Sequence, residues 1–178
     1  VVIEICAVVI VIVAIILGVL ANRASRRRQI ALISGRDPGA YVFTFSSNRW
    51  YQNALIELQR QKIIDPEMLG DDSRPLVQGP RWVSASLSGI RIMRGYDDES
   101  IAMFPWTRVG RITSEMHTGY RSTSAGVTIN IHGASGDIGV VLYSPSADAT
   151  SSGSLKQAQS VADELNRLRV APPSVKLV

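Results

Sequence analysis

The stretch VTINIHGASGDIGVVLY, residues 127–143, decides the fold class. Val127, Ile129 and Ile131 alternate with Thr128, Asn130 and His132, the period of a strand with one buried face. Gly133-Ala134-Ser135-Gly136-Asp137 then makes a tight turn, and residues 138–143 form a second β-rich run. The glycines superficially resemble a phosphate-binding loop. No helix and no Lys follow them, however, so they read as a hairpin turn.

The same grammar extends towards the N-terminus. Residues 82–86 form a strand bounded by Pro80 and by Ser88-Gly89, and Ile90-Arg91-Ile92-Met93-Arg94 alternates apolar with basic, which turns Arg91 away from the buried face. A turn at 95–99, a strand at 101–104, a break at Pro105-Trp106 and an extended run at 109–116 follow, then a polar loop at 119–126. Strands at this spacing read as an antiparallel meander that curls into a barrel or sandwich. Towards the C-terminus, Ser154-Leu155-Lys156-Gln157 fits a capping box. Leu155, Ala158, Val161, Ala162, Leu165 and Leu168 then repeat at helical period until Pro172-Pro173. Such a helix can plug the open end of a curled sheet, with Leu165, Leu168 and Trp106 in the core.

Leu87-Ser88-Gly89-Ile90, then Ile101-Ala102-Met103-Phe104-Pro105-Trp106 leading into Val109-Gly110-Arg111-Ile112, two more strands and a terminal amphipathic helix together resemble a bacterial pleckstrin-homology-like (PH-like) domain. The resemblance runs from about Arg81 to Arg169. It implies seven or so antiparallel strands capped by a C-terminal helix, with Trp106 packed on the sheet. It carries no single function, because this fold hosts lipid, peptide and protein binding. Phosphoinositide-binding relatives have a basic loop between their first two strands; here that loop is Leu87-Ser88-Gly89, short and without a cation. Arg91, Arg94, Arg108 and Arg111 are read as solvated strand charges.

Residues 1–21, VVIEICAVVIVIVAIILGVLA, have another character. About twenty apolar residues cross a ~30 Å hydrocarbon core as a helix, and Glu4 is the one charge among them, near the outer end. Arg23, Arg26, Arg27 and Arg28 follow at once. Cytoplasmic flanks are rich in Lys and Arg, so the chain is expected to be single-pass in a bacterial cell membrane, N-terminus outside and C-terminal domain cytoplasmic. A cleaved secretory signal carries its positive charge before the apolar run, the opposite arrangement. Val1 reads either as a truncation or as a GTG start codon.

The chain of 178 residues has a net charge of +4, and five of its 19 basic residues lie between 22 and 36. The remainder is balanced, so the charge marks a membrane-adjacent cluster and not a nucleic-acid-binding face. Cys6 is the sole cysteine; it permits neither an intrachain disulfide nor a zinc cluster. His117 and His132 form no H-E-x-x-H pattern, and Asp97-Asp98-Glu99 reads as a hydrated turn. No catalytic, cofactor or metal residues are expected, and the chain reads as no enzyme.

The expected organisation is α+β: a transmembrane helix at 1–21, a basic juxtamembrane linker at 22–40 in which Gln29–Ser34 prolongs the helix and Gly35-Arg36-Asp37-Pro38-Gly39 makes a turn or hinge, and an extended segment, amphipathic helix and loop at 41–80. A PH-like β domain with its C-terminal helix follows at 81–170, then a tail at 171–178. Within 41–80, Tyr41-Val42-Phe43-Thr44-Phe45 is rich in β-formers. Ser46 or Ser47 is expected to open a helix reaching about Ile64, before Pro66. Trp50, Tyr51, Leu55 and Leu58 on its stripe are candidate partner-facing residues. The stripe is expected to pack against its own domain or a partner; the alternative is an interfacial helix, since Arg49, Arg60 and Lys62 flank them. Arg23, Arg26, Arg27 and Arg28 are the candidate lipid contacts. The expected function is a membrane-anchored scaffold, regulatory or accessory subunit with an integral-membrane protein partner; the alternative is an inner-leaflet module for lipid or a small ligand.

Overall fold

A computed structural model of the chain describes residues 2–36, 38–65, 80–94, 100–118, 123–146 and 154–170. The expected stop at Pro66, the loop residues 70–79, the turns at 95–99 and 119–122 and the tail at 171–178 lie outside the described residues.

The chain begins with α1 (Val2–Arg36) and enters strand β1 (Tyr41–Ser46), followed by α2 (Arg49–Arg60). Strands β2 (Pro80–Ser86), β3 (Gly89–Arg94) and β4 (Ser100–Pro105) lead through the 3-10 turn Trp106–Arg108 into β5 (Val109–Thr118), β6 (Thr123–Gly133) and β7 (Gly136–Ser146). Helix α3 (Leu155–Val170) closes the order. All seven strands belong to one antiparallel sheet, ordered β4-β3-β2-β1-β7-β6-β5. Because the sheet begins with β1 and not at Arg81, Leu87-Ser88-Gly89 joins its second and third strands, whereas the resemblance had implied the first two.

In that strand order the sheet is open: the meander expected to curl into a barrel or sandwich stays one sheet that does not close. Its edge strands β4 and β5 are consecutive in sequence and joined only by the 3-10 turn. A short connection between opposite edges requires the sheet to curl. The bend is filled by Phe43, Phe45, Val83, Ile90, Ile92, Phe104, Ile129, Ile131, Val140 and Leu142, all buried in one cluster. Trp106 is half-buried against that cluster, and its indole N–H donates to the Ser86 carbonyl at 2.8 Å. Gly89 lets β3 start beside the end of β4: its φ is +145°, and a Cβ there would run into the Phe104 carbonyl oxygen.

Helix α3 lies in the bend and also guards an edge. Ala158, Val161, Ala162, Leu165 and Leu168 are buried. On its flank, Asn166 donates to the Ile112 carbonyl at 3.2 Å and Arg169 to the Gly110 carbonyl. Carbonyls on an edge strand otherwise invite another chain to pair. The expected capping box is present: the Ser154 N–H donates to Gln157 at 2.9 Å, and the Gln157 N–H to the Ser154 hydroxyl at 3.3 Å. Leu155, the first residue of the apolar stripe, stands 45% exposed at the first turn, before the helix reaches the core.

Three further boundaries differ from expectation. Residues 123–126, read as loop for their Gly, Ser and Thr content, extend β6, because Thr123 to Gly126 pair with Thr118 to Glu115. Helix α2 starts after Asn48 and not after Ser46 or Ser47: the Asn48 carboxamide accepts from the Tyr51 N–H at 2.9 Å and donates to the Val141 carbonyl at 3.1 Å. It ends at Arg60, four residues short of Ile64, in a reversal where the Lys62 N–H donates to Gln59 and the Ile63 N–H to Leu58. Lys62 takes the left-handed conformation, φ 56°, that such a helix ending demands.

Candidate functional site

The first element that bears on function is α1, a continuous helix of 35 residues. At 1.5 Å per residue it is about 50 Å long, and it is long and apolar enough to cross a membrane. Its described apolar side chains from Val9 to Leu20 are all exposed, between 45 and 67%. A helix that is apolar on every side belongs in a protein core or in lipid, and the described part of the protein does not cover this one.

The helix does not stop at the arginines. The linker residues continue it, as expected for 29–34, and it runs on through Gly35 to Arg36, where a hinge was expected; its tail docks on the sheet. Ile30 and Ile33 pack with Val42, Trp82 and Met93 in a small cluster separate from the main core. These strand residues point to the outer face because their neighbours Phe43, Val83 and Ile92 point inward. Trp82 is fully buried there, and its indole N–H meets no acceptor among the described residues. Apolar shape therefore holds the contact. Arg23, Arg27 and Arg28, just before it, are exposed; the side chain of Arg26 lies outside the described residues.

Helix α2 is the second element. Tyr51, Leu55 and Leu58, at 1%, 0% and 0% exposure, lie in the main core, which removes them as partner-facing residues. The Tyr51 ring meets Phe45 edge-on at 5.0 Å between centroids. The amphipathic stripe was correctly seen, but the domain itself covers its apolar side. Of the four candidates only Trp50 stays outside, 57% exposed. The outward arc also holds Arg49, Asn53, Ile56 and Arg60. Glu57 bonds to Arg60 at 2.9 Å and Gln61 at 2.8 Å, and these donors lower its carboxyl pKa.

A third surface was not anticipated. On the outer face of β5, β6 and β7, the Thr128 hydroxyl donates to the Glu115 carboxylate at 3.0 Å and lies 3.3 Å from His117 Nε2. Thr128 has one hydroxyl proton; if it goes to Glu115, His117 donates through Nε2. The His117 ring also sits 5.4 Å from that of Tyr143, and His132 pairs with Asp137 at 2.7 Å. Period-2 alternation put Thr128 and His132 on one face, but the partnership across strands depended on register. Both histidines work within this lattice as positioned polar groups.

Among the described residues, no group of three or more His, Cys, Asp and Glu is placed to hold a metal ion. No protein-family model matches the chain, and no curated protein matches it.

Proposed function

We propose that this chain is a single-pass membrane protein, N-terminus outside and sheet domain in the cytoplasm, that works as a non-enzymatic scaffold or accessory subunit of a bacterial membrane protein complex. The observation that carries the reading is the docking of Ile30 and Ile33 on Val42, Trp82 and Met93. A flexible tether would let the domain wander, whereas a helix packed onto the sheet fixes its height and orientation. Ile30 lies nine residues beyond Ala21, about 13 Å along the helix. The headgroup zone is about 5–8 Å deep on each side, so the domain sits close to the membrane surface, where it can meet the cytoplasmic face of an integral partner.

The strand order and the helix lying in the bend support a PH-like reading of the domain, with α2 inserted between β1 and β2. Orientation rests on the cations after the span. A fluorescent reporter fused behind residue 178 should glow in the cytoplasm, and alkaline phosphatase at the same place should be inactive. Purification of the full chain in mild detergent should bring down an integral-membrane protein in stoichiometric amount. Failure to recover one from native membranes would defeat the accessory-subunit reading. The second reading, an inner-leaflet lipid module, is favoured by the exposed Arg23, Arg27 and Arg28 and by the outward face of α2.

A further inference from the structure

We propose that Arg23 and Arg27 hold the phosphate of one anionic lipid in the crevice between α1 and the sheet domain, while Arg28 faces the open leaflet across the helix. This rests on the reading that α1 spans the membrane with the domain on its arginine-rich side, and it gives the lipid reading a site and a ligand.

Helical phase separates the arginines. Each residue of α1 advances the azimuth by about 100°, and Ile30 and Ile33 mark the side that meets the sheet. Arg23 lies about 20° from Ile30 and Arg27 about 60°, on one flank of the docked side, whereas Arg28 lies about 160° away. Arg23 and Arg27 are four residues apart, so their side chains are neighbours on successive turns. Both are exposed, and neither is ion-paired among the described residues.

Register sets the depth. After Arg36 the chain turns within residues 37–40 and enters β1 at Tyr41. Ile30 and Ile33 lie on Val42 and on Trp82, which stands opposite Thr44. The strand therefore runs back along the tail of α1. Its exposed end, Ser46, is about 7 Å nearer the membrane than Thr44, while Arg27 and Arg23 are about 4 and 10 Å nearer than Ile30. The end of β1 thus stands level with the two arginines, and the domain walls the side of the helix that they face.

The chemistry follows from that placement. Arg23 and Arg27 come about 3 and 9 Å after Ala21 along the axis, within reach of lipid phosphates at the headgroup level. A guanidinium gives a phosphate two parallel N–H···O bonds, and two guanidinium groups can share one phosphate. The protein wall on one side excludes water and strengthens the pairing relative to the open leaflet, as in the basic pockets that hold anionic headgroups beside membrane helices. The rival for these cations is internal. Asp97, Asp98 and Glu99 join β3 to β4 at the end of the sheet where Ser46 lies.

The test is native mass spectrometry of the full chain in mild detergent with phosphatidylglycerol or phosphatidylcholine. The wild type should retain one phosphatidylglycerol, and so should Arg28→Gln. The Arg23→Gln/Arg27→Gln variant should bind it about tenfold more weakly, or less tightly still. Ile30→Ala/Ile33→Ala, which keeps every arginine but frees the tail, should lose it too, with circular dichroism confirming the fold. Equal loss in Arg28→Gln would mean an undifferentiated basic surface and overturns the proposal. Full retention by the isoleucine variant overturns the domain wall, and equal retention of phosphatidylcholine overturns the phosphate pairing. Glycerol 3-phosphate bound as tightly as the lipid would make the ligand a soluble phosphate and overturn the lipid assignment. No lipid on the wild type overturns the site and hands the arginines to the internal acids, while the anchor stands. Release of the chain from membranes by alkaline carbonate overturns the anchor and the proposal with it.

Discussion

Phe43 and Phe45 point into the large core, while Val42, between the turn and Phe43 on the same strand, points into the small cluster under Ile30 and Ile33. The two clusters lie back to back across one sheet and differ in origin. The large one is closed by helices that belong to the domain, α2 and α3; the small one is closed by the tail of the span-length helix. Internal stability and attachment are thus served by opposite faces of the same strands. The polar lattice around Thr128 and His117 shows what an outer face of this sheet looks like where no described helix docks.

This contrast can be broken by mutation. Trp82→Ala, on the attachment side, should cost about 3–5 kcal/mol, and Leu165→Ala, on the core side, about 2–5 kcal/mol. Denaturant melts of the full chain in mild detergent measure both. If Leu165→Ala proves as mild as Lys156→Ala on the exposed side of α3, expected within roughly 0.5 kcal/mol, the helix does not plug the bend.

Ile33→Ala sharpens the contrast at lower cost, about 1–2 kcal/mol, since the site is at the rim of a small cluster and can partly collapse. Its diagnostic effect is on geometry. Proteolytic cleavage between residues 22 and 40 should accelerate in Ile33→Ala and stay unchanged in Leu165→Ala at equal folded fraction. Equal acceleration in both would mean the docked tail has no independent stability.

Asn48→Ala removes one cap and one tie to β7, for about 1 kcal/mol. Retention of full stability would show that packing alone sets the start of α2.

The smallest effect is a pH response. The Tyr41 phenol lies above its usual pKa, first because it is buried and then because the Glu164 carboxylate is near. The folded state thus keeps a proton that the unfolded chain releases. This contribution is complete below the unfolded value of about 10 and disappears as pH rises through the raised folded value. Tyr41→Phe should flatten the alkaline end of a stability profile, by well under the cost of a core truncation. An unchanged alkaline slope would remove Tyr41 from that response.

The sequence made the β-rich middle and the two amphipathic helices visible because alternation and helical period are local signals. It hid the role of β1. Val42, Phe43, Thr44 and Phe45 are buried in succession, as befits a central strand covered on both faces, yet such a run shows no alternation, and its place between β2 and β7 is set by partners far along the chain. Helix α2 had the opposite problem. Its apolar stripe was legible, but periodicity cannot say whether the cover is the protein's own core or a partner; Tyr51, Leu55 and Leu58 went inside, and the outward Trp50 and Ile56 became the informative residues. Of the candidate surface, the arginines were legible by position. The tie between Ile30, Ile33 and Trp82 was not, since it needs the fold back from Arg36 into β1.

Because α1 runs without a break from its apolar stretch to the docked isoleucines, it also fixes the angular phase of the domain. Each residue of an α-helix advances the azimuth by about 100°. One Ala inserted between Ala21 and Gln29 would swing the whole sheet by more than a quarter-turn about the helix axis and lift it only about 1.5 Å. Four would bring it nearly back into phase, one turn higher. The segment thus acts as a keyed shaft, and which side of the domain meets its surroundings is written in the residue count between the apolar stretch and Ile30.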